Sequence, residues 1–181
     1  MIDKDINIYH GFLFEDPKAT EILLAQYCDK LVRLAYLYTN DSAAAENIAE
    51  ATFVTLLVKQ KLFEDRNKFR VYLYRTARRK CIYHGYKREF LNIVPMEDAD
   101  EILSTPSFQR ILAQRPHYGH LYKAMSQLPT QYSEILYFTY FDGLSVEEIC
   151  EITKKSNKQI LSLTSKAKTA LKEILKGVPQ Q

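Results

Sequence analysis

The sequence predicts an all-α fold in two helical domains, residues 1–90 and 118–181, joined by a linker at 91–117. Three observations carry this prediction. Apolar residues recur at helical spacing through the first half and again beyond Leu121. Two capping boxes, Ser145 with Glu148 and Ser156 with Gln159, mark helix starts in the second half. Between the halves, NIVPMEDADEILSTPSFQRILAQRP holds three prolines and the acidic cluster Glu97, Asp98, Asp100 and Glu101, which breaks the period. No strand-like alternation stands out, and the ILYFTYF run, ambiguous alone, sits in helical context.

The elements follow in order. Leu24, Tyr27, Leu31, Leu34, Ala35 and Tyr38 predict a helix over about Thr20–Tyr38. Asn40, Asp41 and Ser42 supply a turn and an N-cap candidate. A second helix runs from about Ala43 to Lys61, carrying Ile48, Phe53, Leu56 and Leu57. A third, from about Asn67 to Lys87, has Phe69, Leu73, Ala77 and Cys81 as its apolar line, with Gly85 expected to weaken its last turn. The linker allows one short helical turn around Phe108–Leu112. A helix near Gly119 covers Leu121–Gln127, and Pro129 suits the first turn of the next. Val146, Ile149, Cys150 and Ile152 then give a short helix with one apolar side. After a tight, lysine-bearing turn, Ile160, Leu163, Ala167, Leu171 and Ile174 form the stripe of a longer one.

Composition narrows the function. At 181 residues and 46% hydrophobic content the chain supports globular cores, and no apolar run approaches the roughly 20 residues that span a bilayer. The N-terminus lacks a basic segment followed by an apolar one, so no secretory signal is expected. Cys28, Cys81 and Cys150 are odd in number and far apart, which argues against a disulfide framework and for a reducing, cytoplasmic setting. Charge is unevenly spread. Residues 66–88 hold nine basic side chains and no acidic one, and residues 144–181 are also net basic. Acidic stretches precede and separate these islands, which suggests two surfaces for a polyanion.

Short helix, tight turn and longer helix form a helix-turn-helix pattern, whose second helix enters the major groove of DNA. The candidate DNA-binding residues there are Lys155, Ser156, Asn157, Lys158, Gln159, Ser162, Ser165 and Lys166. Asn and Gln can pair with adenine, and lysine with guanine or phosphate. Gln159 has a competing role in its capping box, and Leu163 lies on the packed stripe. In the basic island, Tyr72, Arg75, Arg78, Arg79, Lys80, Tyr83, Tyr86, Lys87 and Arg88 are the candidates for nucleic acid. Arginine and lysine neutralise phosphates, and aromatic faces stack on unpaired bases. Half of the tyrosines can equally be core, above all Tyr72 or Tyr74, which flank Leu73.

Taken together these residues resemble the two-domain, extracytoplasmic-function sigma factors of bacterial RNA polymerase. Leu128-Pro129, then Gly143, Leu144, Ser145, Glu148 and Ile149, then Ser156 and Lys166, Ala167 and Leu171 resemble the family's region 4. Ala45, Glu46, Asn47, Ile48 and Phe53, with Tyr72, Leu73, Tyr74, Arg75 and Ala77, resemble its region 2. The chain departs from the family pattern at Asn47, Glu50, Arg79, Tyr83, Lys154 and Leu163; Lys154 stands where glycine usually makes the turn. The resemblance implies that region 4 binds the −35 promoter element and region 2 handles the −10 element. It also implies that Glu46, Asn47, Glu50 and Phe53 face the polymerase. Its implied partners are core RNA polymerase, through the β′ clamp and β flap, promoter DNA, and an anti-sigma factor as a regulator in trans.

Enzymatic chemistry is not expected. No nucleophile elbow, phosphate-cradling glycine loop or carboxylate pair stands out. His117 and His120 are spaced i, i+3, but no carboxylate or thiol cluster completes a metal site, so neither metal nor cofactor is expected. Two other classes fit the same residues. One is a sigma-like helix-turn-helix regulator that binds DNA without opening promoters. The other is a polymerase-binding protein that occupies core without supporting transcription.

Overall fold

The computed structural model describes residues 4–90 and 118–177, and every described regular element is helical. The predicted linker at 91–117, with the turn expected at Phe108–Leu112 and with His117, lies outside the described residues. The described helices fall into two compact units. The first holds α1 (Lys4–Leu13), α2 (Pro17–Thr39), α3 (Ser42–Lys59) and α4 (Arg66–Phe90). The second holds α5 (Tyr118–Ser126), α6 (Thr130–Leu136), a π-helical turn (Tyr137–Phe141), α7 (Val146–Thr153) and α8 (Asn157–Lys176).

Local chemistry sets the helix ends in the first unit. Asp16 caps α2 by accepting from the Lys18 amide, with Pro17 in the first turn. Asp41 caps α3 by accepting from the Ala44 amide at 3.0 Å. Asn40 and Gln60 end α2 and α3 in the left-handed conformation. α4 runs on to Phe90, past the expected end near Lys87, with Gly85 inside the continuous helix. α1 was not delimited by sequence. It buries Ile6, Tyr9, Phe12 and Leu13 against the other three helices.

The core of this unit is built from aromatic and leucine side chains. Tyr9, Tyr27 and Phe69 are essentially inaccessible and are joined by Leu23, Leu31, Leu34, Leu56, Leu73 and Tyr74. Each such side chain contributes roughly 1.5–3 kcal/mol on burial. Tyr74 is core while Tyr72 is half-buried, which settles the alternation around Leu73.

In the second unit, α8 packs chiefly on α6 and α7. Pro129 stands just before α6 as its N-cap rather than in its first turn. The Ser133 hydroxyl donates to the Met125 carbonyl at 2.6 Å and ties α6 to α5. The aromatic run Tyr137–Phe141 winds as a π-helix, with the Asp142 amide reaching the Tyr137 carbonyl at 3.2 Å. That extra residue per turn buries Tyr137 and Phe138 while leaving Tyr140 exposed.

Both predicted capping boxes form. The Ser145 amide donates to Glu148 Oε2 at 2.8 Å, and the Glu148 amide donates to Ser145 Oγ at 3.2 Å. The Ser156 amide donates to Gln159 Oε1 at 2.8 Å, and the Gln159 amide donates to Ser156 Oγ at 3.3 Å. Ser156→Ala is expected to cost about 0.5–2 kcal/mol, and Ser156→Gly only a few tenths. Denaturant unfolding of the second unit checks this; equal losses in both variants would remove the cap from the account.

Candidate nucleic-acid interfaces

Part of the basic island of α4 forms one strip. Tyr72, Thr76, Arg79, Lys80, Tyr83 and Lys87 share one face at helical spacing. They form one wall of a groove of about 870 Å³. The other wall is α3, through Ala44, Asn47, Ile48, Ala51 and Thr55. Tyr83 and Tyr86 are the most exposed tyrosines among the described residues, at 70% and 68%. Their rings are open to stacking while Arg79 and Lys87 supply exposed positive charge. Arg75 and Arg78 are half-buried and do not line the groove. Burial pulls the pKa of Arg78 down, opposed by the nearby Cys81. The side chain of Arg88 lies outside the described residues.

Tyr72 is less open than its sequence position suggests. Its ring packs on Phe63 with centroids 5.2 Å apart, and Lys61 Nζ lies over it at 5.2 Å. Several polar groove residues escaped sequence reasoning in this role, among them Asn47, Lys59, Thr76 and His84. The signal was available in α3. Ala44 and Ala51 stand seven apart on one side of Asn47 and Ile48, and small residues mark where another helix's side chains come close.

On α3, Glu46, Asn47 and Glu50 are exposed. Phe53 is not: it is 6% exposed and edge-on to Phe12, with ring centroids 6.2 Å apart. Its expected contact with polymerase is therefore corrected to a core role, because it falls on the inner side of α3 with Ala49 and Leu56. Asn47 differs again, lining the groove opposite Arg79 and Tyr83.

In the second unit the turn of the helix-turn-helix ends α7 at Lys154, with φ of 60°. A lysine thus occupies a left-handed position that favours glycine. α8 then presents Lys155, Lys158, Gln159, Ser162, Leu163 and Lys166, with Gln131 of α6, around a shallow groove of about 380 Å³. Asn157 and Ser165 are exposed beside it. Leu163 is half-buried yet lines this groove, so it belongs partly to the surface rather than wholly to the packed stripe. Gln159 commits its amide oxygen to the Ser156 amide, which leaves its NH₂ group to donate. Two-point reading of adenine would require giving up that cap.

The α8 lysines divide between two faces. Lys168 and Lys172 line an apolar cleft of about 310 Å³ with Leu121, Met125, Leu136 and Tyr140, and Lys168 Nζ sits 5.2 Å from the Tyr140 ring. Beneath the turn, Glu134 is 1% exposed. Its burial pushes the carboxyl pKa up to about 8, against the lowering effect of the nearby Lys155. Among the described residues no cluster of three His, Cys, Asp or Glu converges. No described helix is long and apolar enough to cross a membrane.

Each unit contains a match to one region of a known family. Sigma-70 region 2 matches residues 23–89, and Sigma-70, region 4 matches residues 119–171. The RNA polymerase sigma-H factor of Pseudomonas aeruginosa is 23% identical over 170 residues, spanning 88% of each chain. Two solved structures share the fold. CnrH, in complex with the cytosolic domain of CnrY, aligns with TM-score 0.67 at 18% identity over 98% of this chain and 100% of that one. The sigma factor RpoE, in complex with the anti-sigma factor NepR from Bartonella quintana, aligns with TM-score 0.70 at 22% identity over 88% of this chain and 98% of that one. Because both region models fall in order on the two helical units and together take in most of the chain, it belongs to the sigma-70 family and acts as an RNA polymerase sigma factor in promoter-directed initiation of transcription.

Proposed function

We propose that the two basic faces divide the promoter between them. The α8 face built on Lys155, Lys158, Ser162 and Lys166 holds the −35 duplex. The α4 strip engages the −10 strand once it is unpaired. The observation that carries this reading is the single-faced arrangement of Arg79, Lys80, Tyr83 and Lys87 on α4. Cations for phosphate and open tyrosine rings for bases stand on one surface there. Stacking on such rings is worth roughly 1–3 kcal/mol per base. That is comparable with the few kcal/mol needed to extrude a base.

Glu46 and Glu50, exposed on α3, supply the polar face for the β′ clamp, and the second unit meets the β flap. CnrH and RpoE were each solved with a regulatory partner, and we extend to this chain the expectation of an anti-sigma factor. The bond-forming chemistry belongs to the polymerase, so the chain itself is not an enzyme, needs no cofactor or metal, and works in the cytoplasm. Its functional regions are then 1–90 and 118–181, with 91–117 as the connection.

In vitro transcription with core polymerase and genomic fragments tests the whole reading. Defined start sites that require the chain are expected. Absence of both start sites and a complex with core would sink it. On a promoter so identified, Lys158→Gln and Lys166→Gln are each expected to lower the slope of log affinity against log salt by about 1.

A further inference from the structure

The region 2 match begins at residue 23, so α1 (Lys4–Leu13) lies outside it. α1 nevertheless reaches the loop between α3 and α4. The Tyr9 hydroxyl donates to the Lys61 carbonyl at 2.8 Å. His10 Nε2 lies 3.1 Å from the Phe63 carbonyl. A carbonyl oxygen only accepts, so this nitrogen carries the hydrogen. At the end of the loop Asp5 pairs with Arg66 at 2.7 Å and accepts from Gln26 at 3.3 Å. Three residues of α1, Asp5, Tyr9 and His10, thus tie down residues 66, 61 and 63.

The fixed backbone has a consequence at Lys61. This lysine is exposed, yet its Nζ sits over two rings, 5.4 Å from the centre of Phe63 and 5.2 Å from that of Tyr72. No carboxylate pairs with it among the described residues. A lysine on a mobile loop loses side-chain freedom when it grips a phosphate. One already seated on aromatic faces, over a backbone held by two hydrogen bonds, has given up much of that freedom in advance. Tyr72 also lines the α4 groove, so the ammonium stands at the groove's Tyr72 end.

We propose that Lys61 contacts a backbone phosphate of the promoter strand engaged by α4, and that Tyr9 and His10 are positioning residues that hold it over Tyr72. The proposal rests on the reading of the α4 face given above. It adds to that face a cation from outside α4, and it gives α1 a role in DNA engagement besides packing.

The test uses holoenzyme assembled with core polymerase on a promoter fragment mapped by transcription, with affinity measured across a salt series. Lys61→Gln is expected to weaken binding about five- to tenfold and lower the salt slope by about 1, while Lys61→Arg keeps the slope. Tyr9→Phe keeps the buried ring and removes only the hydroxyl. It is expected to weaken binding about two- to fivefold with Lys61 present and to have no effect in the Lys61→Gln background. Equal losses from Tyr9→Phe in both backgrounds would overturn the positioning role. A normal slope for Lys61→Gln beside a reduced slope for Arg79→Gln would overturn the phosphate contact and leave the α4 reading standing. Normal slopes for both would overturn the α4 reading and this proposal with it.

Discussion

Phe69→Ala is expected to remove about 3–5 kcal/mol from the region 2 unit, the loss typical of a buried aromatic truncated to a methyl. Phe69 is fully buried where α1, α2, the 60–65 loop and α4 meet. Its ring stacks on Tyr9 at 4.3 Å, stands edge-on to Tyr27 at 5.8 Å and lies 6.1 Å from Phe63. Such pairs contribute about 0.5–1.5 kcal/mol each beyond the area they bury. A domain is stable by only about 5–15 kcal/mol, so the variant unit sits close to unfolding at ordinary temperature. The sequence has no tryptophan, and far-UV circular dichroism is the suitable probe. The region 2 transition should move to lower denaturant while the region 4 transition stays in place. Phe69→Leu, which keeps most of the volume, should cost less than about 1.5 kcal/mol. A loss below about 1 kcal/mol for the alanine variant would mean that the site collapses around the cavity and that the ring cluster contributes little.

How much of this was legible in sequence varies by physical cause. Both capping boxes were readable because their partners are three residues apart and the signal is purely local. The basic strip of α4 was readable as composition, and its face followed once the helix period was applied. What sequence missed depends on neighbours distant along the chain. α1 went undelimited because its ten residues offer only a brief apolar pattern, and Tyr9 gains its meaning from Lys61, fifty-two positions away. Phe53 was placed with its helix neighbours Glu46 and Glu50, whereas Phe12 decides its burial. Asn47 is exposed on α3 like Glu46, yet it lines the groove whose other wall is α4. The π-helical turn was hidden for a different reason. Its five residues are apolar or aromatic throughout apart from Thr139, so no helical period could be distinguished there.

Glu134 shows the same limit in its most consequential form, since nothing in LPTQYSEIL marks that carboxyl as buried. Burial raises its pKa to about 8 in the folded protein, from an ordinary value of 4.5. Between those pH values the folded state keeps a proton that the unfolded state has released. Stability of the region 4 unit is therefore greatest at the acid end of this window and falls as pH rises from about 4.5 to 8, then levels. The slope is at most about 1.4 kcal/mol per pH unit, and the accumulated effect is on the order of a few kcal/mol. Glu134→Gln removes the titrating group, so the variant should match the parent near pH 5 and exceed it near pH 9. Thermal unfolding of the second unit at pH 5, 7 and 9 decides the matter, and parallel curves for the two proteins would refute it. The same carboxyl bears on DNA. Below about pH 8 it is neutral, so no opposing charge stands beside Lys155, which lines the α8 groove. Above that pH an opposing charge appears beside it. Promoter affinity through α8 should then weaken with rising pH in the parent but not in Glu134→Gln.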